Sequence, residues 1–477
     1  MNRNTQNEHG EPLLDWHAQP EGAILLPKSE GGPELTRIPL RSAVFRLAWP
    51  AIGAMLFIMI FNLVDAWYVG RLGAEPFAGV SAASFIFWAL QSISLLISEG
   101  VNAMVARFVG AEDKDSAGLV VGQSLLLAAV TALLNSAMGL VIARRTFVAM
   151  GLQGAVLESA VDYLNFLLYG LIFLFLTYTV DAAFRGMGDT KTPLKIIGGA
   201  LLLNAVLDPL LIFGIGPFPR MEAAGAALAT VAAHVFAFFW SWLLLRRREV
   251  NVLFRRSRWG WIDWSLMGRI AKIGTPLAVS GLLFSLSYML LTRIISQYGA
   301  NAIAALGLGH RIEGVCYNVA VGFSVAAATL VGQNLGAGKA ERAEKAVWLS
   351  IFYISIFLVA VSLLFYFFGA WIIRFFINDP EVIAEGARYL KIIAIFEVFL
   401  GFEIVFEGAF SGAGNTVPPM VISVPLTWAR IPLALLLANT LGWGSVGIWW
   451  AIAVTTGFKG IAMALWFRRG RWKEKTV

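Results

Sequence analysis

The stretch Phe184-Arg185-Gly186-Met187-Gly188-Asp189-Thr190-Lys191-Thr192-Pro193 returns as Phe410-Ser411-Gly412-Ala413-Gly414-Asn415-Thr416-Val417-Pro418-Pro419. Phe, both Gly, Thr and the last Pro match at one displacement, 410 − 184 = 226. The same displacement pairs Pro50 with Pro276, Leu56 with Leu282, Gly73 with Gly299, Ala78 with Ala304, Gly110 with Gly336, Ala111 with Ala337 and Ala117 with Ala343. One register kept from Pro50 to Pro193 marks an internal duplication, so the fold must hold two copies of one plan.

The copies belong in lipid. The 477 residues are 58% hydrophobic and 14% charged, and the mean hydropathy is +0.72, beyond the composition of an ordinary soluble domain. A spanning helix needs about 20 mostly apolar residues. Such segments run over about 42-68, 76-106, 116-143, 156-185, 192-214, 222-246, 266-296, 301-333, 341-374, 382-411, 418-438 and 444-467. The expected fold is an all-α polytopic membrane protein with twelve transmembrane helices in two six-helix bundles. Six is even, so both copies enter from the same side and the repeat is parallel, about an axis along the membrane normal.

The expected divisions are a disordered cytoplasmic tail over 1–40, an N-terminal bundle over 41–246, a cytoplasmic linker over 247–263, a C-terminal bundle over 264–467 and a basic cytoplasmic tail over 468–477. Lys and Arg set the orientation. Arg107, Lys114, Lys191, Lys195, Arg246, Arg247, Arg248, Lys339, Arg342 and Lys345 fall in loops on one side, with Arg468, Arg469 and Arg471 in the tail. The other side has little more than Arg71, Arg144, Arg145, Arg220, Arg293 and Arg374. Both termini are therefore expected in the cytoplasm of a cell with a plasma (inner) membrane. The formal charge of +7 follows from bases facing an anionic leaflet and requires no nucleic acid.

The loops leave no room for a soluble catalytic domain. The four histidines, His9, His17, His234 and His310, have no metal-ligand spacing, and the lone Cys316 falls within a helix, so neither a metal site nor an enzyme is expected. The repeated Gly-x-Gly-(Asp/Asn)-Thr stretch reads as a helix stop followed by a Pro-assisted start, and a phosphate cradle would need a preceding strand.

Ionisable residues inside the apolar spans are functional candidates. Asp65 lies late in the first span. Asn204 and Asp208 lie four apart in the fifth, on one helical face, with Pro209 next to them. All three fall in the outer half of the membrane, where two carboxylates and an amide suit capture of a cation. Competing readings are an Asp65 that caps the outer helix end and an Asp208 that satisfies a kink beside Pro209. Adding 226 converts Asp65, Asn204 and Asp208 to Leu291, Arg430 and Ala434, so the cation site is expected in the first copy alone.

Arg430 needs a partner at its depth, and the tenth span offers Glu397, Glu403 and Glu407. A rigid Arg–Glu pair and a substrate contact both fit. Asp181 and Glu407 are repeat counterparts nearer the inner surface, open to either a pathway role or a solvated helix end; Glu99 and Glu313 receive no role. The 34 Phe, 17 Trp and 12 Met would suit flat apolar cations where they line a cavity.

Leu47 to Pro50, Val69-Gly70-Arg71-Leu72-Gly73, Arg185 to Thr190, Val331-Gly332-Gln333-Asn334-Leu335-Gly336-Ala337-Gly338 and Arg430-Ile431-Pro432 together resemble the multidrug and toxic compound extrusion (MATE) family, over about residues 42 to 470. Asp65 with Asn204 and Asp208 is similar to the DinF-like branch. That resemblance implies that these residues bind a coupling H+ or Na+, with Tyr163 on the wall. Phe61 and Ala226 stand where the branch often has Tyr and Thr, with Thr230 one turn away, which weakens Na+ coordination more than protonation. The family also implies a V-shaped cleft, no cofactor besides the coupling ion, a monomer among membrane lipids, and export of a small organic cation or drug. The rival within the wider class, a flippase for a lipid-linked saccharide, would favour a cationic cleft.

Overall fold

The computed structural model describes residues 34–246 and 262–475, and every regular element among them is helical. In chain order these are α1 (Leu40–Gly70), α2 (Ala74–Ser92), α3 (Leu95–Gly110), α4 (Lys114–Ala149), α5 (Gly154–Gly186), α6 (Lys191–Phe213), α7 (Glu222–Leu245), α8 (Trp264–Ile295), α9 (Ala300–Gly336), α10 (Ala340–Phe376), α11 (Pro380–Ala394), α12 (Glu397–Gly412), α13 (Val417–Leu435) and α14 (Ser445–Arg468). Among the described residues eleven helical stretches are long and apolar enough to cross a membrane. The twelfth span is α11 with α12, whose charges remove it from a count by hydropathy. The second and tenth spans are each broken near the middle, which the sequence did not signal. At the first break Ser92 donates to the Ala89 carbonyl and Ser94 to the Gln91 carbonyl, 2.7 Å each, local bonds that compete with the helical ladder.

The helix ends show why the repeat was kept. Gly188 (φ 85°) and Gly414 (φ 71°) adopt the left-handed conformation that closes a helix. In both links a six-residue bond follows, from Asp189 N to the Phe184 carbonyl (2.8 Å) and from Asn415 N to the Phe410 carbonyl (2.9 Å). The next residue is a latch: Thr190 Oγ1 donates to the Leu47 carbonyl at 3.0 Å, and Thr416 Oγ1 to the Ile273 carbonyl at 2.5 Å. Both pairs obey the displacement, 190 + 226 = 416 and 47 + 226 = 273. Each link thus ties down the lead helix of its own copy, close to Pro50 or Pro276, where the ladder lacks an N–H.

The two halves cross reciprocally. A Cβ built on Gly110 would stand 2.1 Å from the Gln333 carbonyl, and one on Gly336 would stand 2.0 Å from the Arg107 carbonyl. Since 110 + 226 = 336 and 107 + 226 = 333, this is one contact seen twice across a pseudo-twofold axis, as the parallel repeat requires. The cores are exchanged in the same way. Val44 and Leu47 at the start of α1 are buried in the apolar core of the second copy, and their counterparts Ile270 and Ile273 of α8 in that of the first.

Both described chain ends lie on this seam side. The tail expected over 1–40 is described from Glu34, where a 3-10 turn buries Leu35 and Thr36; the rest of that tail lies outside the described residues. Lys339 Nζ donates to the Thr36 carbonyl (3.1 Å) and Arg342 to the Leu35 carbonyl (3.3 Å). At the other end the expected basic tail folds into a turn over Arg471–Glu474. Trp472 stacks on Phe467 at 4.6 Å, and Arg107 Nη2 donates to the Lys475 carbonyl at 2.7 Å. Each terminus therefore reaches the opposite copy. Of the expected linker 247–263, residues 247–261 lie outside the described residues.

Gly336→Ala is expected to lower the thermal midpoint, at a cost of about 1–3 kcal/mol for overpacking. Gly307→Ala, with nothing within 4 Å of its Cβ, is expected to leave it unchanged or raise it. Differential scanning fluorimetry of the two variants checks this.

Candidate cation site

Asp65 lies in the last turns of α1, Asn204 and Asp208 in the second half of α6, and Tyr163 early in α5, which runs back from the same end. These positions share a depth, at the end away from the chain termini. The structure brings them together: Asp65 lies within electrostatic reach of Asp208, and both within reach of Tyr163. Asn204 and Asp208 are fully buried, Tyr163 nearly so, and Asp65 half-buried.

The helical spacing of four lets Asn204 Nδ2 donate to Asp208 Oδ1 at 3.2 Å. This bond engages the Asn204 amide, and three buried acceptors are left without a partner: Asp65 Oδ1, Asn204 Oδ1 and Asp208 Oδ2. Buried oxygens without donors are costly, so a cation or a proton is the complement they lack. Phe61, half-buried, packs on the first-copy core beside the site. Thr230 Oγ1 donates to the Ala226 carbonyl at 3.0 Å, so its hydrogen is committed to its own helix. Helix α6 continues through Pro209 to Phe213.

The counterpart region of the second copy is built otherwise. Arg430 is buried, and the acidic partner expected for it is not what holds it. Nε donates to Thr455 (2.8 Å), Nη1 to the Tyr288 hydroxyl (2.8 Å) and Nη2 to Thr456 (2.9 Å). The guanidinium also stands 5.5 Å from the Tyr288 ring centroid. The acid named as a candidate, Glu403, instead pairs with Lys459 at 2.6 Å, both side chains buried. Sequence reasoning passed over Lys459; a base in the middle of the twelfth span was the signal available. Glu313 accepts from the Tyr389 hydroxyl at 2.9 Å, and Glu397, both oxygens buried without a hydrogen-bonded donor, lies beside Glu313 and Cys316.

Asp181 and Glu407 are not part of the Asp65 cluster. Asp181 is buried near the seam side, within reach of Arg185 one turn on, and Oδ1 has no partner. Nearby, Gln91 Nε2 donates to the Tyr178 hydroxyl.

Known proteins share this plan. A family profile described as MatE matches residues 50–210 and 276–436, one match per copy. A probable multidrug resistance protein NorM of Thermotoga maritima is 30% identical over 95% of this chain and 96% of its own. An FAD transporter of Shewanella oneidensis is 28% identical over 90% of this chain and 94% of its own. Among solved structures, an outward-facing multidrug resistance MATE family transporter superposes with a TM-score of 0.86 at 24% identity, covering 94% of this chain and 100% of that one. A MATE in the bent conformation gives 0.85 at 23%, covering 91% and 96%.

Lys459→Met is expected to destabilise by about 3–5 kcal/mol, because it strands the buried Glu403 carboxylate. Adding Glu403→Gln should restore much of the loss. A double-mutant cycle of thermal midpoints reads this out; equal loss in the single and double variants would refute the pairing.

Proposed function

Because the chain belongs to the MATE family of membrane transporters, we propose that it is a secondary antiporter, exporting organic cations or drugs by alternating access in exchange for a coupling cation, H+ in preference to Na+. The observation that carries this is the set of three partnerless buried oxygens on Asp65, Asn204 and Asp208, present in one copy and replaced by Leu291, Arg430 and Ala434 in the other. The name of the Thermotoga relative supports a drug cargo. The Shewanella relative's name gives FAD, a phosphate-bearing anion, and the acids of this chain fit that charge less well.

In this reading a proton reaches the Asp65/Asp208 pair from the side opposite the termini, which is the periplasmic side of a bacterial inner membrane. Neutralisation removes the like-charge conflict between the two carboxylates and lets α1 and α6 approach. Helix α1 is anchored by Val44 and Leu47 in the core of the second copy, so a shift at Asp65 acts on both halves. Binding energy that differs between the two shapes drives the cycle, and a cation indifferent to shape would drive nothing. H+ is favoured because Phe61 and Ala226 bring no side-chain oxygen to the site, whereas Na+ needs several oxygens at once.

Proteoliposomes loaded with a fluorescent organic cation test this with separate pH and Na+ gradients. Wild type should export under the pH gradient, and Asp65→Asn should lose gradient-driven export while binding dye. Undiminished export by Asp65→Asn would sink the coupling role, and export driven by Na+ alone would replace H+ as the coupling ion.

A further inference from the structure

Three acids, Glu99, Glu403 and Glu407, meet where α3 of one copy comes against α12 of the other, outside the Asp65 cluster. Glu99 follows the break between α2 and α3. Its neighbour Gly100 already touches the second copy, since a Cβ there would stand 2.3 Å from the Ile270 carbonyl. Ser411 Oγ, on α12, donates to Glu99 Oε2 at 2.5 Å, bridging the copies at this level. Glu407 lies one turn before Ser411, within electrostatic reach of Glu99, Glu403 and Lys459. Lys459 is already neutralised by Glu403 at 2.6 Å. Among the described residues Glu99 and Glu407 are thus left without a basic counter-charge of their own, and both are half-buried.

A second observation points to a ligand. Glu403 is 8% exposed; Oε1 accepts from Lys459 and Ser423, whereas Oε2 is buried with no partner in the midst of this cluster. Tyr317 of α9 lies within reach of both Glu407 and Glu403, yet is 51% exposed. A half-exposed aromatic beside Glu407, whose carboxylate has Glu99 of the other copy within reach, is a surface with affinity for a large apolar cation.

We propose that Glu99 and Glu407, one from each copy, form with Tyr317 a subsite for the exported organic cation, separate from the Asp65, Asn204 and Asp208 site of the coupling ion. The subsite rests on the antiport reading for its purpose. Its carboxylates come from both copies, so a rearrangement at the seam changes their separation and hence the affinity for a cation held between them. Coupling is then indirect, through shape, with no competition for one carboxylate.

The test is equilibrium binding of tetraphenylphosphonium to the purified full-length protein without any gradient, with the isosteric anion tetraphenylborate as a charge control. Glu99→Gln/Glu407→Gln should weaken tetraphenylphosphonium binding by about tenfold or more and narrow the preference over the anion. Glu407→Asp should keep most of the affinity, and Tyr317→Ala should weaken it by about fivefold. If the double variant fails to fold, each single variant, with its thermal midpoint confirmed, takes its place. Unchanged cation affinity and charge preference in folded variants would overturn the subsite. Gradient-driven export by the wild type would in that case leave the antiport reading standing, and failure of export would leave the binding result standing.

Discussion

Where α3 crosses α9, Gly110 faces the Gln333 carbonyl and Gly336 faces the Arg107 carbonyl with no side chain between the backbones. Packed cores yield little, and a contact made of backbone yields less. The close crossing fixes the distance between the copies at one end. The reciprocal burial of Val44 and Leu47 in one core and Ile270 and Ile273 in the other depends on that distance, while the Thr190 and Thr416 latches hold each lead helix within its own copy. A hinge or gate in this molecule has to work around this point.

On that symmetric frame the polar groups are distributed unequally. The first copy has acceptors without donors at Asp65, Asn204 and Asp208. The second has a donor, Arg430, saturated by Thr455, Thr456 and Tyr288, and an ion pair between Glu403 and Lys459. Unsatisfied groups respond to an added ion and satisfied ones resist change, so the Asp65 cluster is suited to switching and the Arg430 region to holding shape. Helix α1 joins these roles, being anchored in the second core at one end and bearing Asp65 at the other.

Much of this was legible in the sequence. The displacement of 226 gave the parallel pairing, and apolar length gave twelve spans with ends within a few residues of those observed. That Asn204 and Asp208 share one helical face followed from spacing alone. What the sequence hid depends on which helices meet. The partner of Arg430 was sought among glutamates because charge suggests charge, but three hydroxyls on α8 and α14 reach it first. Glu99 had no counterpart in the repeat and no evident role until Ser411, 312 residues away, was found beside it. The order of residues 34–38 comes from Lys339 and Arg342 of the opposite copy, and that of 471–475 from the Trp472–Phe467 stack together with Arg107 of the opposite copy, contacts that local polarity does not reveal.

The proposed control of shape by a proton at the Asp65/Asp208 pair, with the α3–α9 crossing held close, is tested most directly by the distance between the far ends of the copies. Ile215 and Leu441 are repeat counterparts, 215 + 226 = 441, and are exposed at 51% and 54%. Nitroxides at Ile215→Cys and Leu441→Cys, in a Cys316→Ser background, report that distance by double electron–electron resonance in lipid. The distribution should move between alkaline and acidic pH in the wild-type site and stop moving with Asp208→Asn. The same pH response with Asp208→Asn, or none in the wild-type site, would contradict it.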